Sequence, residues 1–239
     1  MHVSAYPFPG ALMEKQYHNR TVIVVDVLRA TTCMVEALQN GANQVIPARD
    51  PGEAMAFAGH LGRKESLLTG ERGGLRMPDF DLGNSPLEFT SQVVKNKAVV
   101  ISTTNGTAAI HAARNAARLY IGCMRNRTAV ARAAAKDGQD ITVLCAGTEG
   151  ECSADDMVAA GAILHAILGE VENDLTFNDF ARVCMLTYTA WKKGEADLTV
   201  TTHYSRLKDL GFDADLTFCF EEDQTGVVPR YENGSILAV

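Results

Sequence analysis

Nowhere does this 239-residue sequence hold 18 uninterrupted apolar residues, so no stretch is long enough to cross a membrane as a helix. The first residues, Met1 to Lys15, show no basic head followed by an apolar run; no secretory signal is expected, and the chain is expected to be cytoplasmic. Six cysteines include no C-x-x-C pair, and six histidines include no H-x-H or H-E-x-x-H. Structural zinc and a disulfide framework therefore lack support, and any metal is expected to be bound by oxygen. Cationic residues are in deficit, 22 Lys and Arg against 29 Asp and Glu for a net charge of -7. A nucleic-acid or anionic-membrane surface needs the opposite balance. Several phosphate-handling signatures are missing as well. There is no C-x5-R, no G-x-x-x-x-G-K-[ST], no G-x-G-x-x-G and no R-H-G, which removes the thiolate cradle of tyrosine phosphatases and disfavours nucleotide-dependent transfer. Asp79-Phe80-Asp81 has a D-x-D form, but it follows Arg76-Met77-Pro78 instead of a buried strand, so a phospho-aspartate route has no candidate in the right context.

What is present is an ordinary globular composition, 46% hydrophobic and 21% charged, enough for a substantial core. The charge is uneven: residues 1–148 carry 16 bases and 12 acids, or +4, whereas residues 149–239 carry 6 and 17, or -11. Three times an apolar β-rich run leads through a short loop into a helical pattern. The runs are Thr21 to Val27, Lys97 to Ser102 and Ile141 to Cys145; the helices run to about Gln39, over Ala108 to Ala117, and from Ser153 to about Leu168. Strands without strict alternation that alternate with helices predict a layered α/β/α fold with a mainly parallel or mixed sheet. Weaker strands are expected at Gln44 to Pro47 and Leu119 to Gly122. Gly70 to Pro86 is expected to be a long loop that packs down through Leu75, Met77, Phe80 and Leu82. Later come a helix at Phe177 to Lys192, a helical signal around Ser205 to Leu210, and two short strands near Leu216 to Phe220 and Ser235 to Val239. One domain over 1–239 is expected, with two interlocked halves, about 1–148 and 149–239, left open.

Ligands of parallel sheets bind beyond the carboxyl ends of the strands, so the three strand-to-helix loops are expected to converge. Asp26 sits in an apolar strand, where an unpaired charge costs several kcal/mol, and needs a metal, a base or hydrogen-bond donors. Pairing with Arg29 is the plain alternative. Ser102, Thr103, Thr104, Asn105, Gly106 and Thr107 open a helix with hydroxyls and free N–H groups, a candidate phosphate or sulfonate cradle, or else ordinary capping. Glu71 and Arg72 lie between glycines, and Arg125 and Arg127 flank Asn126. Ser153 with Asp156 has the spacing of a capping box, and Asp155 and Asp156 could approach Mg²⁺.

These pieces coincide with a known family. VVDVLRATT (Val24 to Thr32), GERGG (Gly70 to Gly74), FDLGNSP (Phe80 to Pro86), STTNGT (Ser102 to Thr107), CAGTEGECSADDMVAAG (Cys145 to Gly161) and VPRYENGSI (Val228 to Ile236) resemble the 2-phosphosulfolactate phosphatase family, also called ComB. Cys33 stands where Thr is usual, Met77-Pro78-Asp79 replaces a glycine-containing stretch, and Asp155 sits where Glu is commoner. The resemblance implies a Mg²⁺-dependent phosphomonoesterase that converts 2-phospho-3-sulfolactate to 3-sulfolactate and phosphate, a step towards coenzyme M. On that expectation Asp26, Glu71 and Asp156 hold the metal. Asp26, Arg29 and Glu71 act in catalysis, and Arg72, Asn126 and the Ser102 to Thr107 loop bind the small anionic substrate. Another phosphorylated hydroxy acid, or a non-catalytic binding protein for an anionic metabolite, are the alternatives, and a homodimer stays open. On the same expectation the basic-leaning first segment supplies every cation of the site, and the acidic second segment serves mostly solubility.

Overall fold

Valine and isoleucine fill the central strands so densely because both faces of the sheet are covered. A computed structural model describes residues 1–11, 13, 16–171 and 174–239, so Leu12, Glu14 and Lys15 of the amino-terminal run lie outside it. Strands β1 (His2–Tyr6), β2 (Thr21–Val25), β3 (Gln44–Pro47), β4 (Ser66–Arg72), β5 (Leu75–Arg76), β6 (Ala98–Ser102), β7 (Arg118–Gly122) and β8 (Ile141–Cys145) alternate with helices. The helices are α1 (Ala30–Gln39), α2 (Pro51–Leu61), α3 (Ser91–Val94), α4 (Gly106–Ala113) and α5 (Arg127–Lys136). The remainder is α6 (Ala154–Glu170), β9 (Thr176–Phe177), α7 (Asp179–Lys192), α8 (Thr202–Asp209), α9 (Asp213–Cys219), β10 (Pro229–Glu232) and β11 (Ser235–Ala238).

Among the described residues, eleven strands form one sheet in the order β5-β4-β6-β3-β11-β10-β7-β2-β8-β1-β9. Two parallel arms, β4-β6-β3 and β7-β2-β8-β1-β9, are joined by the antiparallel β10-β11 hairpin, itself antiparallel to both neighbours. Three reversals make the arms antiparallel across the hairpin. The strand period of two divides side chains between faces. Val22, Val24, Leu119, Ile121 and Leu144 of one arm share a core with Leu67, Val45, Val99 and Ile101 of the other, together with α1 and α4. The sheet therefore curls around these two helices. Outside it, Ile46, Leu68 and Val100 pack on α2, and Ile23, Val25, Val143 and Cys145 pack with α5, α6 and α7. The result is the layered α/β/α arrangement with a mixed sheet that the sequence predicts.

Three local expectations need correction. Leu216 to Phe220 is not a strand: Leu216 to Cys219 lies in α9 and Phe220 caps it, and Leu216 and Cys219, three residues apart, turn to one core. A short apolar run does not distinguish strand from helix. The partner of β11 is instead β10, joined through Asn233-Gly234, both at positive φ (50° and 91°), a turn suited to a two-residue hairpin. Finally, Gly70 to Pro86 is only partly loop. β4 runs to Arg72, turns at Gly73-Gly74 and returns as β5, leaving Leu75 52% exposed while Met77 and Phe80 are buried.

Candidate active site

The carboxyl ends of β2, β4, β6 and β8 meet around a cavity of about 70 Å³ lined by Asp26, Arg29, Glu71, Thr104, Asn105 and His203, among others. β2 ends in Asp26 because the backbone turns there into α1. Asp26 Oδ1 accepts from Ala30 N (3.2 Å), while Thr31 Oγ1 donates to the Asp26 carbonyl (2.8 Å) and accepts from its N–H (3.1 Å). Among the described residues no hydrogen bond reaches Asp26 Oδ2. Burial pushes the Asp26 carboxyl up to about 6. His203 and the Ala30 N–H oppose that shift, and the charges of Asp155 and Glu71 add to it.

Two glycines permit the convergence. Gly70 has φ of +145°, and a Cβ there would lie 2.0 Å from the Ser102 carbonyl, so only glycine lets β4 run this close to β6. A Cβ on Gly106 would lie 2.6 Å from Asp26 Oδ2 and 2.7 Å from the Ala30 side chain, so α4 can start directly beneath Asp26. Glu71 then bridges the two loops: Oε1 accepts from Thr104 N (2.8 Å) and Oγ1 (2.9 Å), and Oε2 accepts from Gly74 N (2.8 Å).

Of the Ser102 to Thr107 run, Thr104 and Asn105 line the cavity, and Asn105 Oδ1 also accepts from Glu149 N (3.2 Å). Thr103 and Thr107 bond one another across the first turn of α4. Ser102 accepts from Arg72, whose guanidinium also donates to the Glu71 and Ser102 carbonyls; Arg72 lies outside the cavity lining. Arg29 lines the cavity, but its charge is matched. It donates to Asp215 Oδ2 and to the Gly74 carbonyl, both at 2.7 Å, and stacks 3.9 Å from the centre of the Phe212 ring. Asp156 accepts from Val27 N (2.9 Å) and Gly147 N (3.0 Å), clasping the ends of β2 and β8 away from the lining; burial raises its carboxyl well above the usual range. Fully buried Asn126 braces a turn, accepting from Cys123 N and donating to the Ile121 and Val227 carbonyls. Arg125 and Arg127 also face elsewhere, paired with Glu36 and Glu221 and with Glu222 and Asp223.

The expected metal set of Asp26, Glu71 and Asp156 thus does not assemble. Among the described residues no three His, Cys, Asp or Glu side chains gather as a metal-ligating cluster. Asp26 and Glu71 alone of the three line the cavity.

Sequence reasoning missed the wall contributed by the acidic segment. His203, Arg206 and Leu207 project from one face of α8, at the i, i+3, i+4 spacing, and Glu149 follows β8. Arg206 reaches Glu149 at 3.4 Å with its side chain 47% exposed. Buried Asp155 accepts from His203 Nδ1 (3.0 Å). The signal was the polar pair His203 and Arg206 three apart beside apolar Leu207, a face that no loop motif marks. The cation supply is therefore not confined to residues 1–148.

Residues 6–234 match the family model described as 2-phosphosulpholactate phosphatase. A protein of Caldanaerobacter subterraneus subsp. tengcongensis named probable 2-phosphosulfolactate phosphatase is 35% identical over 99% of this chain and 98% of its own. Proteins of the same name from Clostridium novyi and Clostridium acetobutylicum are 38% identical over 92% of each chain and 35% identical over 95% of each chain.

Proposed function

Because the chain belongs to the 2-phosphosulpholactate phosphatase family, we propose that it hydrolyses 2-phospho-3-sulfolactate to 3-sulfolactate and phosphate, with Mg²⁺ as cofactor, as a cytoplasmic step towards coenzyme M. The observation that supports this reading beyond kinship is the charge pattern of one small cavity, where the carboxylates of Asp26, Glu71 and Glu149 face Arg29, Arg206 and His203. Carboxylates crowded beside a polyanion site require a cation to reconcile them.

Mg²⁺ usually takes one or two carboxylates and completes its shell with water and substrate oxygens. That habit fits Asp26, with its unoccupied Oδ2 and carboxyl pushed up by burial, and Glu71 beside it. When bound, the cation would neutralise phosphoryl charge. The protein's own groups do the rest. Arg29 is locked by Asp215, Gly74 and Phe212, so its remaining N–H groups meet developing charge on phosphoryl oxygens without reorganising. Thr104 and Asn105 supply polar contacts from the start of α4. Arg206, only loosely held by Glu149, meets the sulfonate or carboxylate end and takes the part expected of Arg72. Leu28 and Leu207, both buried, add apolar surface to the lining.

Phosphate release by the purified protein, measured with and without Mg²⁺ on 2-phospho-3-sulfolactate and on phosphorylated hydroxy acids lacking the sulfonate, tests this. The expected result is Mg²⁺-dependent release that is fastest with the sulfonated substrate. Equal rates without the sulfonate would transfer the reading to small phospho-hydroxy acids at large, and saturable binding without release would make the protein a metabolite binder.

A further inference from the structure

Helix α8 brings one imidazole to the wall shared by the cavity at Asp26 and a neighbouring cavity of about 420 Å³; Thr148, Glu149 and His203 line both. The His203 ring is oriented from behind by a chain of hydrogen bonds. Thr148 Oγ1 donates to Ser153 Oγ (3.3 Å), Ser153 donates to Asp155 Oδ1, and Asp155 Oδ2 accepts the Nδ1 proton of His203 (3.0 Å). The Asp155 side chain is 1% exposed, so its charge has little competition from water, and this fixes the tautomer and ring angle. Nε2 is left without a hydrogen bond among the described residues. Burial alone would lower the ring's proton affinity. The Asp155 bond and charge, together with the charge of Asp26, outweigh burial and the opposing Arg29, so the affinity is raised overall.

We propose that His203 is the general acid of the hydrolysis, giving its Nε2 proton to the oxygen that leaves phosphorus, with Asp155 and Ser153 as positioning residues. This rests on the phosphatase reading above. The leaving group is a secondary alkoxide, a poor one unless protonated as the bond breaks. The P–O bond to carbon 2 breaks, its electron pair stays on that oxygen, and the oxygen takes the His203 proton to form the free 2-hydroxy acid. The phosphoryl group takes up water as H₂PO₄⁻, and its surplus proton recharges the imidazole, so HPO₄²⁻ leaves.

The test compares the wild-type protein with His203→Asn, which keeps a donor towards Asp155, and with His203→Gln should the first variant fail to fold by circular dichroism. Each is assayed on 2-phospho-3-sulfolactate and on p-nitrophenyl phosphate, whose leaving group needs no proton. The expected result is a loss in kcat of about 10²- to 10⁴-fold on the alkyl substrate and a far smaller loss on the aryl one. Asp155→Asn should show the same split more weakly. Equal losses on both substrates, or none on either, with an active wild-type protein would overturn the acid role alone. No phosphate from either substrate with the wild-type protein would overturn the phosphatase reading, and the acid role with it.

Discussion

Replacing Asp215 by alanine should cost this protein more than any substitution on its surface. The Arg29–Asp215 pair lies at 2.7 Å, with the two side chains 1% and 3% exposed, and Ser85 donates a further hydrogen bond to the carboxylate at 2.6 Å. Without Asp215 the guanidinium keeps only the Gly74 carbonyl and the Phe212 ring. Breaking a buried pair by removing one partner costs about 3–5 kcal/mol, because a charge is left buried and uncompensated. For a chain of this length about 2–4 °C of Tm accompanies each kcal/mol, so the melting point should fall by roughly 6–20 °C. Removing both charges together differs in kind. Arg29→Met with Asp215→Leu fills the space with apolar atoms and should recover most of the lost stability, while the loss of the Arg29 guanidinium should abolish phosphate release. Urea unfolding followed through Trp191, the single tryptophan, measures both variants. A cost below about 1 kcal/mol for Asp215→Ala, or a double variant as unstable as the single one, would refute the account of Arg29 as a charge held in place by Asp215.

Other substitutions follow from the same geometry. The folded Asp26 carboxyl is raised to about 6 from 3.8, so the native state holds its proton more tightly than the unfolded chain. Its ionisation therefore subtracts stability as pH rises through that window, by about 3 kcal/mol above it. In EDTA, Asp26→Asn should raise the melting point at pH 8 and change it little at pH 3.5, and with Mg²⁺ supplied it should abolish phosphate release; equal shifts at both pH values would contradict the burial argument. Gly106→Ala places a methyl 2.6 Å from Asp26 Oδ2 and should cost about 1–3 kcal/mol by calorimetry as well as most of the turnover. Arg206→Gln should raise KM for the sulfonated substrate about tenfold with kcat nearly unchanged, since a hydrogen bond to a charged group contributes about 1.5–3 kcal/mol before solvent screening; an unchanged KM would remove Arg206 from the substrate.

The units legible from sequence are those whose elements follow one another closely. β2, β6 and β8 with their helices announce themselves by largely apolar runs that end at Asp26, Thr103 and the Ala146-Gly147 turn, because a sheet covered on both faces leaves its strands few polar positions. The curl was not legible. It depends on a hairpin at residues 229–238 sliding between β3 and β7, strands that lie more than 100 residues earlier in the chain. Its one local signature was Asn233-Gly234. Asp50-Pro51 with Glu53 likewise marked the start of α2, where Asp50 accepts from Glu53 N at 2.9 Å. At the site, residue type was legible and role was not. A buried aspartate reads the same whether it faces the cavity, as Asp26 does, or clasps two strand ends, as Asp156 does. The roles of Asp215 and His203 are not written locally because their partners stand 186 and 48 residues away, even though His203 shares a helix face with Arg206.

The uneven charge of the two segments has a physical cause that solubility does not supply. Two of the three buried acids among the described residues of 149–239 each hold a particular base: Asp215 holds Arg29, and Asp155 holds His203, whereas Asp156 accepts backbone N–H groups. At the protein surface Glu221, Glu222 and Asp223 draw Arg125 and Arg127 against the carboxyl-terminal loop. A segment of -11 laid on a segment of +4 therefore closes the cavity by charge complementarity as well as by packing. Preorganised cations follow directly. A guanidinium and an imidazole aimed at phosphate would repel one another and swing into solvent unless each had a counter-ion behind it, and both counter-ions come from the acidic segment. Truncating the chain before α8 would take Asp215 from Arg29 and the imidazole from the site, and it would also remove the β10-β11 hairpin that joins the arm of β2 to the arm of β4 and β6. The active half of this site is thus the basic-leaning segment only when the acidic one is folded onto it.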